Sequence, residues 1–145
     1  MASSYTVSWA GLWGGPEGTE AIEVTYEITA HTTGAVTAIS TDTDKIADGR
    51  TYTELIRGRE LSKVEAFPTV GGTAPDAADV TVKDSDGLDL LNAGGVNLIH
   101  ATAKQAIYPL IDALPAAITV RGALTLGIAN NTASGADFTI RLCFK

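Results

Sequence analysis

The sequence predicts an all-β protein, either an antiparallel β-sandwich or a jelly-roll-like barrel with little helix. Two stretches, residues 20–30 and 124–144, alternate apolar and polar side chains with the period of two that is typical of strands. Six to nine short strands of this kind are separated by glycine-rich turns, as in sandwiches and barrels. The strand–helix alternation of a parallel sheet is missing from the pattern.

Length and composition favour one domain that needs no cross-link. A chain of 145 residues has the usual size of a single domain and can bury a substantial core. Its one cysteine, Cys143, excludes an internal disulfide and favours synthesis in a reducing cytoplasm. We expect residues 1–19 to form a short strand and a glycine-rich arm, and residues 20–145 to form one sandwich domain.

The N-terminal segment is predicted to combine a strand with an interaction arm. Residues 5–9 alternate large and small side chains, whereas residues 10–18 contain four glycines and a proline, which is typical of a loop. Trp13 either folds back over the sheet as a lid or anchors a partner, since tryptophan is enriched at binding hot spots. The candidate partner contacts are Trp9, Leu12 and Trp13.

Residues 20–30 form the clearest predicted strand, because apolar and polar side chains alternate along its whole length. A turn then leads to a short strand over residues 35–40. Residues 52–56 fit either one turn of helix or a strand. A further strand over residues 61–67 ends at Pro68, because proline cannot serve the middle of a ladder.

Residues 79–91 predict a strand, a tight turn and a second apolar run. The turn falls at residues 84–87, with Gly87 free to take a positive φ. After a glycine turn at residues 92–95, we expect residues 96–111 to be extended, with at most one helical turn before Pro109. Three leucines beyond the first turn are expected to be buried: Leu88, Leu90 and Leu91.

The C-terminal residues predict a β-hairpin whose apolar face belongs to the core. A short strand at residues 118–120 precedes two period-two runs, residues 124–129 and 138–144, which a polar loop joins. Cys143 falls on the opposite face, where we expect a small surface or interface residue. The apolar face holds seven large side chains: Leu124, Leu126, Ile128, Phe138, Ile140, Leu142 and Phe144.

The charge pattern argues against nucleic-acid and membrane partners. The net charge is −7, and the densest basic segment, residues 57–63, stands among Glu54, Glu60 and Glu65. Phosphate recognition needs clustered lysine and arginine. No apolar run approaches the roughly 20 residues that span a bilayer, and residues 1–5 lack the pattern of a secretory signal.

The candidate metal ligands favour a structural interpretation. Asp84, Asp86 and Asp89 cluster as calcium ligands do, but their order around Gly87 departs from an EF-hand loop, so a plain turn is favoured. The two histidines, His31 and His100, have no partner at metal-ligand spacing. The sequence therefore predicts no metal and no cofactor.

The candidate catalytic residues are equally sparse. Glu23 and Glu27 share the outer face of one predicted strand, where carboxylates are usually solvated rather than paired in a cleft. No serine lies in the pattern of a nucleophile elbow. The sequence predicts that the protein is not an enzyme.

Four motifs follow one another in the C-terminal part of the chain. They are Val-Thr-Val-Lys-Asp-Ser-Asp-Gly-Leu-Asp-Leu-Leu at 80–91, Ala-Gly-Gly at 93–95, Tyr-Pro-Leu at 108–110, and Ile-Thr-Val-Arg-Gly-Ala-Leu-Thr-Leu at 118–126. A closing strand follows Asn130-Asn131. This ordered set, which covers roughly residues 60–145, resembles the small β-rich structural proteins of tailed bacteriophages.

The resemblance implies a virion structural protein without catalytic residues. Size, acidity and a compact sandwich favour a capsid decoration, or cement, protein on the capsid surface, made in the host cytoplasm. Its expected partners are the major capsid protein and further copies of itself, as a dimer or trimer. The alternatives are a tail or head–tail junction protein and a carbohydrate-binding β-sandwich domain of a fibre or baseplate. The last needs exposed aromatics, and only 6% of the residues are aromatic.

Overall fold

Strands dominate the computed structural model, which describes residues 2–12, 21–112 and 114–145. Strands hold 45% of the described residues and helix 4%, so the predicted all-β class is confirmed. Antiparallel sheets pack together in an arrangement compatible with the predicted β-sandwich, and the described residues form no closed barrel. The described residues also contain no helix that is long and apolar enough to cross a membrane.

The described elements are eleven strands and one short helix. In chain order they are β1 (Ser4–Leu12), β2 (Ala21–Thr29), β3 (Ile39–Ser40), α1 (Tyr52–Ile56), β4 (Glu60–Pro68), β5 (Asp79–Lys83), β6 (Gln105–Ile107), β7 (Leu110–Ile111), β8 (Leu114–Pro115), β9 (Ile118–Thr119), β10 (Thr125–Ala129) and β11 (Asp137–Phe144). The larger sheet has the order β1-β2-β11-β4-β6, with β9 also beside β4. The smaller sheet has the order β3-β10-β5, and β7 pairs with β8 alone.

The core lies between the two sheets and draws on both. From the larger sheet, Tyr26, Phe138 and Ile140 are almost completely buried, and Val82 and Leu126 meet them from the smaller sheet. These inward positions alternate with polar outward ones along β2 and β11. An alternation of apolar and polar residues in the sequence therefore predicts a strand. The strands predicted at residues 20–30, 61–67 and 79–84 are found as β2, β4 and β5, with residue 20 outside the described residues.

The structure resolves the alternative left open at residues 52–56 in favour of helix. The Thr51 side chain accepts a hydrogen bond from the backbone N–H of Glu54 at 3.2 Å, which is an N-cap contact. Residues 96–111 are extended or turn-forming as predicted, with β6 and β7 inside them.

The predicted C-terminal hairpin is wrong, although its apolar face is core as predicted. β10 pairs with β3 and β5 in the smaller sheet, while β11 pairs with β2 and β4 in the larger one. The chain therefore crosses from one sheet to the other instead of folding back on itself. Six of the seven apolar side chains are buried and Ile128 is partly buried. An alternating pattern identifies a strand's buried face but not its partner strand.

Three smaller expectations also differ from the structure. Leu88 is 64% exposed, because it directly follows the turn, whereas Leu90 and Leu91 are buried as predicted. Only the last two residues of the predicted strand 35–40 are paired, as β3. β1 continues through Gly11 to Leu12, where a loop was predicted, because the ladder with β2 accommodates glycine.

Candidate interaction surfaces

β1 is an outermost strand of the larger sheet and carries one predicted contact residue, Trp9. All nine residues of β1 pair with β2 in one unbroken antiparallel register. Trp9 stands on the core-side face beside Val24 but is 40% exposed. Leu12 ends the strand, and Trp13 lies outside the described residues. The structure thus places two of the three predicted contact residues on one edge strand.

Two tyrosines fix β1 to the body of the protein. The Tyr5 hydroxyl donates to the Asp44 carboxylate at 2.6 Å, and the Tyr52 hydroxyl donates to the Val7 carbonyl at 3.4 Å. Burial, together with the hydrogen bond to Asp44 and its negative charge, raises the pKa of Tyr5 to about 12. The phenol therefore stays protonated and keeps donating at physiological pH.

A cleft of about 580 Å³ lies where the 84–92 segment, the β7 region and residues 118–124 meet. Leu90, Val120 and Leu124 are buried residues in its lining, and Leu88 and Ile111 stand exposed at its rim. Four aspartates and one arginine also line it: Asp84, Asp86, Asp89, Asp112 and Arg121. We call it the acidic cleft, because buried apolar side chains line its interior and the charged side chains around it carry a net negative charge.

Two of these aspartates build the turn predicted at residues 84–87. Asp84 Oδ1 accepts from the backbone N–H groups of Asp86 and Leu88 at 3.0 and 2.9 Å. The N–H of Gly87 donates to the Asp84 carbonyl, and Gly87 has φ +86°, so the predicted turn is confirmed. Asp89 accepts three backbone N–H bonds, from Val82, Leu91 and Ala93. Both carboxylates thereby hold the local chain.

Exposed apolar side chains lie at this cleft and on the adjoining β7–β8 ladder. Leu114 is more than half exposed and pairs in register with Ile111 across the β7–β8 ladder. We call Leu88, Ile111 and Leu114 the apolar rim. Large apolar side chains that stand together in water mark protein interaction sites.

A charged cluster, which sequence reasoning missed, lies on the outer face of the larger sheet. Glu65 is buried, and its carboxylate lies 2.9 Å from Lys104 Nζ, 3.4 Å from the Arg141 guanidinium and 3.6 Å from Lys63 Nζ. Burial alone acts to raise the pKa of Glu65, but the Lys104 hydrogen bond and the three positive charges hold that pKa below its ordinary value.

Cys143 lies beside this cluster, on the outer face as predicted. Ligand atoms of Glu23, Glu65 and Cys143 lie within 4.8 Å of one another, a spacing that could admit a metal ion. Burial and the Glu65 charge, however, raise the pKa of Cys143 to about 11, so the thiol is neutral near pH 7. Arg141 already contacts both glutamates, which makes the group an ion-pair network.

The histidines and the outer glutamates have local structural contacts. His31 Nδ1 accepts from the Thr33 N–H at 3.1 Å, and His100 Nδ1 accepts from the N–H groups of Thr102 and Ala103. Each ring thereby closes its own turn. Glu27 accepts from the Thr6 hydroxyl at 3.4 Å, across the β1–β2 ladder.

Comparison with known proteins identifies no relative. No family description, no curated protein and no solved structure matches the chain. Both surfaces, the β1 edge and the apolar rim, are suited to contacts with other protein chains.

Proposed function

We propose that the protein is a structural component of a tailed-bacteriophage virion, and specifically a capsid decoration protein that binds the major capsid protein. The ordered motifs over residues 60–145 support the virion role. The observation that carries the proposal is the apolar rim, whose three side chains are each more than half exposed. A protein that works by attaching to others needs such a surface and needs no cofactor.

The apolar rim supplies the attachment surface for the shell. Leu88 and Ile111 both line the acidic cleft, and Leu114 is the register partner of Ile111 in the β7–β8 ladder, so we treat the three as one patch. Asp86 and Asp112 are exposed beside that patch and favour a partner surface that combines apolar and basic side chains. Apolar contact supplies affinity, and the aspartates supply orientation.

Many weak contacts are sufficient for a decoration protein. Each copy adds contacts across the boundary between capsomers, and a small oligomer attaches through several sites at once. Linked attachment of this kind raises the net affinity well above that of a single site. A closed oligomer also matches the local two-fold and three-fold axes of a shell.

The test is to add purified protein to expanded, undecorated capsids and to measure copies bound and the temperature of shell disruption. We expect saturable binding at many copies per shell and a raised disruption temperature. The variant L88S/I111S/L114S should lose binding while it melts normally, because all three side chains are exposed. The matched control V70S/V96S removes exposed valines that do not line the cleft and should bind normally.

Two outcomes would contradict the capsid role. One is normal binding by the rim variant, which would remove the apolar rim from the contact. The other is recovery of the protein only in tails, or at a handful of copies per particle, which would favour the tail or head–tail junction alternative.

A further inference from the structure

We propose that β1 is a self-association edge through which two copies of the chain pair, strand against antiparallel strand, about a two-fold axis. The pairing joins two larger sheets into one continuous sheet. This inference does not depend on the proposed function, since it concerns the isolated protein in solution.

Within the described residues, no strand pairs with the edge of β1 that faces away from β2. β1 pairs only with β2, and its backbone makes no backbone hydrogen bond to residues 21–112 or 114–145 outside that ladder. The one side chain recorded at its backbone is the Tyr52 hydroxyl at the Val7 carbonyl, with a long 3.4 Å contact. An unpaired row of N–H and C=O groups is a template for another strand.

The other sheet edges in the described part of the chain are short or covered. β3 has two residues and β6 has three. The outer side of β5 is occupied, because Val80 N–H donates to the Gly95 carbonyl and the Val82 carbonyl accepts from Leu90 N–H. At nine residues, roughly 30 Å, β1 is the long edge that remains.

β1 also lacks the usual protection against edge pairing. Proteins blunt edge strands with charged side chains, proline or bulges. β1 contains no charged residue and no proline, and its register with β2 has no bulge. Among the described strands of five residues or more, only β10 is likewise uncharged, and β10 lies between β3 and β5.

The charge of the protein favours a second copy at this edge. Two copies, each with net charge −7, repel one another, and the repulsion is weakest where a contact contains no charged side chain. Over residues 4–10, the outer-face row of β1 is short and neutral: Ser4, Thr6, Ser8 and Ala10.

Antiparallel pairing about a two-fold axis also covers Trp9. Directly opposed residues in such a pair lie on the same face, so Trp9 faces an odd-numbered β1 residue of the second copy. Tyr5 and Val7 are two such residues. The exposed indole then gains an apolar cross-strand neighbour, which is a favourable pair.

The contact is expected to be weak and reversible. One strand pair buries less than the roughly 800 Å² per partner of a standard interface. The dimer should therefore form in a concentration-dependent way, with β1 amide protons that point away from β2 becoming protected from exchange as dimer accumulates.

The test measures the dimer dissociation constant by sedimentation at concentrations up to about 1 mM, together with hydrogen exchange of β1. The variant T6K/S8K places like charges beside the two-fold axis and should raise the dissociation constant by about tenfold or more. Its fold should persist, because Thr6 lies beside Glu27 on the neighbouring strand. The control A103K/A106K adds the same charge at exposed positions near the opposite edge and should dimerise normally.

Three results would overturn the proposal. The wild-type protein could remain monomeric over the whole range, or T6K/S8K could dimerise as well as the control. Alternatively, β1 protection could arise only on addition of undecorated capsids, which would assign the edge to a strand of the capsid protein. Capsid binding by a protein that never dimerises would leave the proposed function intact, so the two proposals fail separately.

Discussion

Glu65 is buried on the face of the larger sheet that lies away from the core. The long side chains of Lys104 and Arg141 cover it, and both cations also lie over the Phe67 ring, at 5.1 and 5.3 Å from its centroid. Cationic side chains commonly bury their stems in this way while their charged ends remain near water. The cluster therefore packs the outer face of the sheet through ion pairs and cation–π contacts.

We predict that E65Q lowers the free energy of unfolding by about 1–3 kcal/mol at pH 7, because Lys63, Lys104 and Arg141 lose their attraction to the Glu65 carboxylate and Arg141 keeps only Glu23. The pKa of Glu65 is lower in the folded protein than its ordinary value of 4.5. The stabilisation that the ionised Glu65 gives to the folded protein is therefore complete above about pH 4.5. It is lost as the pH falls through the pKa that Glu65 has in the folded protein. Denaturant unfolding of wild type and E65Q at several pH values measures the difference.

The control for this prediction is E27Q, which changes an exposed glutamate on the same face. It should alter stability by no more than about 0.5 kcal/mol. A difference between wild type and E65Q that stays constant from pH 7 to pH 3 would contradict the ion-pair interpretation.

The burial of Glu65 could not be predicted from the sequence. Alternation in β4 is interrupted near Ser62, where the register with β11 shifts between Cys143 and Phe144. Such a bulge changes which side chains share a face. The neighbour Lys104 also comes from the segment before β6, whose position beside β4 depends on tertiary pairing alone.

The crossing from β10 to β11 is held by a buried asparagine. Asn131 Nδ2 donates to the Gly34 carbonyl at 2.8 Å and to the Ala133 carbonyl at 3.3 Å, and its Oδ1 accepts from the Asp76 N–H at 3.3 Å. One side chain thus ties the crossing to two other loops. Gly34 approaches so closely that an added Cβ would collide with the Asn131 carbonyl.

We predict that N131A costs about 1–3 kcal/mol of unfolding free energy, because buried backbone groups lose their partners. S134A, an exposed change in the same crossing, should leave stability within about 0.5 kcal/mol of wild type. Thermal or denaturant melts of the two variants make the comparison. Equal stabilities would show that the backbone alone holds the crossing.

The sequence pattern predicts individual strands better than it predicts which strands pair. β2 and β5 were predictable because burial of one strand face enforces a period of two in the sequence itself. The pairing of β10 and β11 was not, since a polar loop of this length suits a hairpin and a crossing alike. At the candidate site, Trp9 is exposed as a contact residue requires, whereas Ile111 and Leu114 gave no signal because only tertiary structure leaves them uncovered.

A single core joins the two sheets, so we expect them to unfold as one cooperative unit. Leu126 of the smaller sheet and Ile140 of the larger one are both buried in that core. We predict that L126A and I140A each lower the unfolding free energy by about 2–5 kcal/mol. In both variants, the transitions followed by circular dichroism and by tryptophan fluorescence should coincide.

Separated transitions in either variant would contradict this expectation and would show that one sheet survives without the other. The exposed substitution V70A is the matched control, since Val70 is fully exposed and contributes nothing to the core. Its melting should match wild type by both probes.

The central position of β11 has a consequence for the order in which the molecule folds. Thr29 of β2 and its register partner Asp137 are 108 residues apart in the chain, and β4 is joined to β2 only through β11. Neither the β2–β11 ladder nor the β4–β11 ladder can form until this strand arrives, so loop-closure entropy is spent before these two ladders contribute stability. Folding should therefore fall in the millisecond-to-second range of proteins dominated by non-local pairing. During that interval the edges of β2 and β4 that will pair with β11 have no partner, and unpaired strand edges are prone to aggregation.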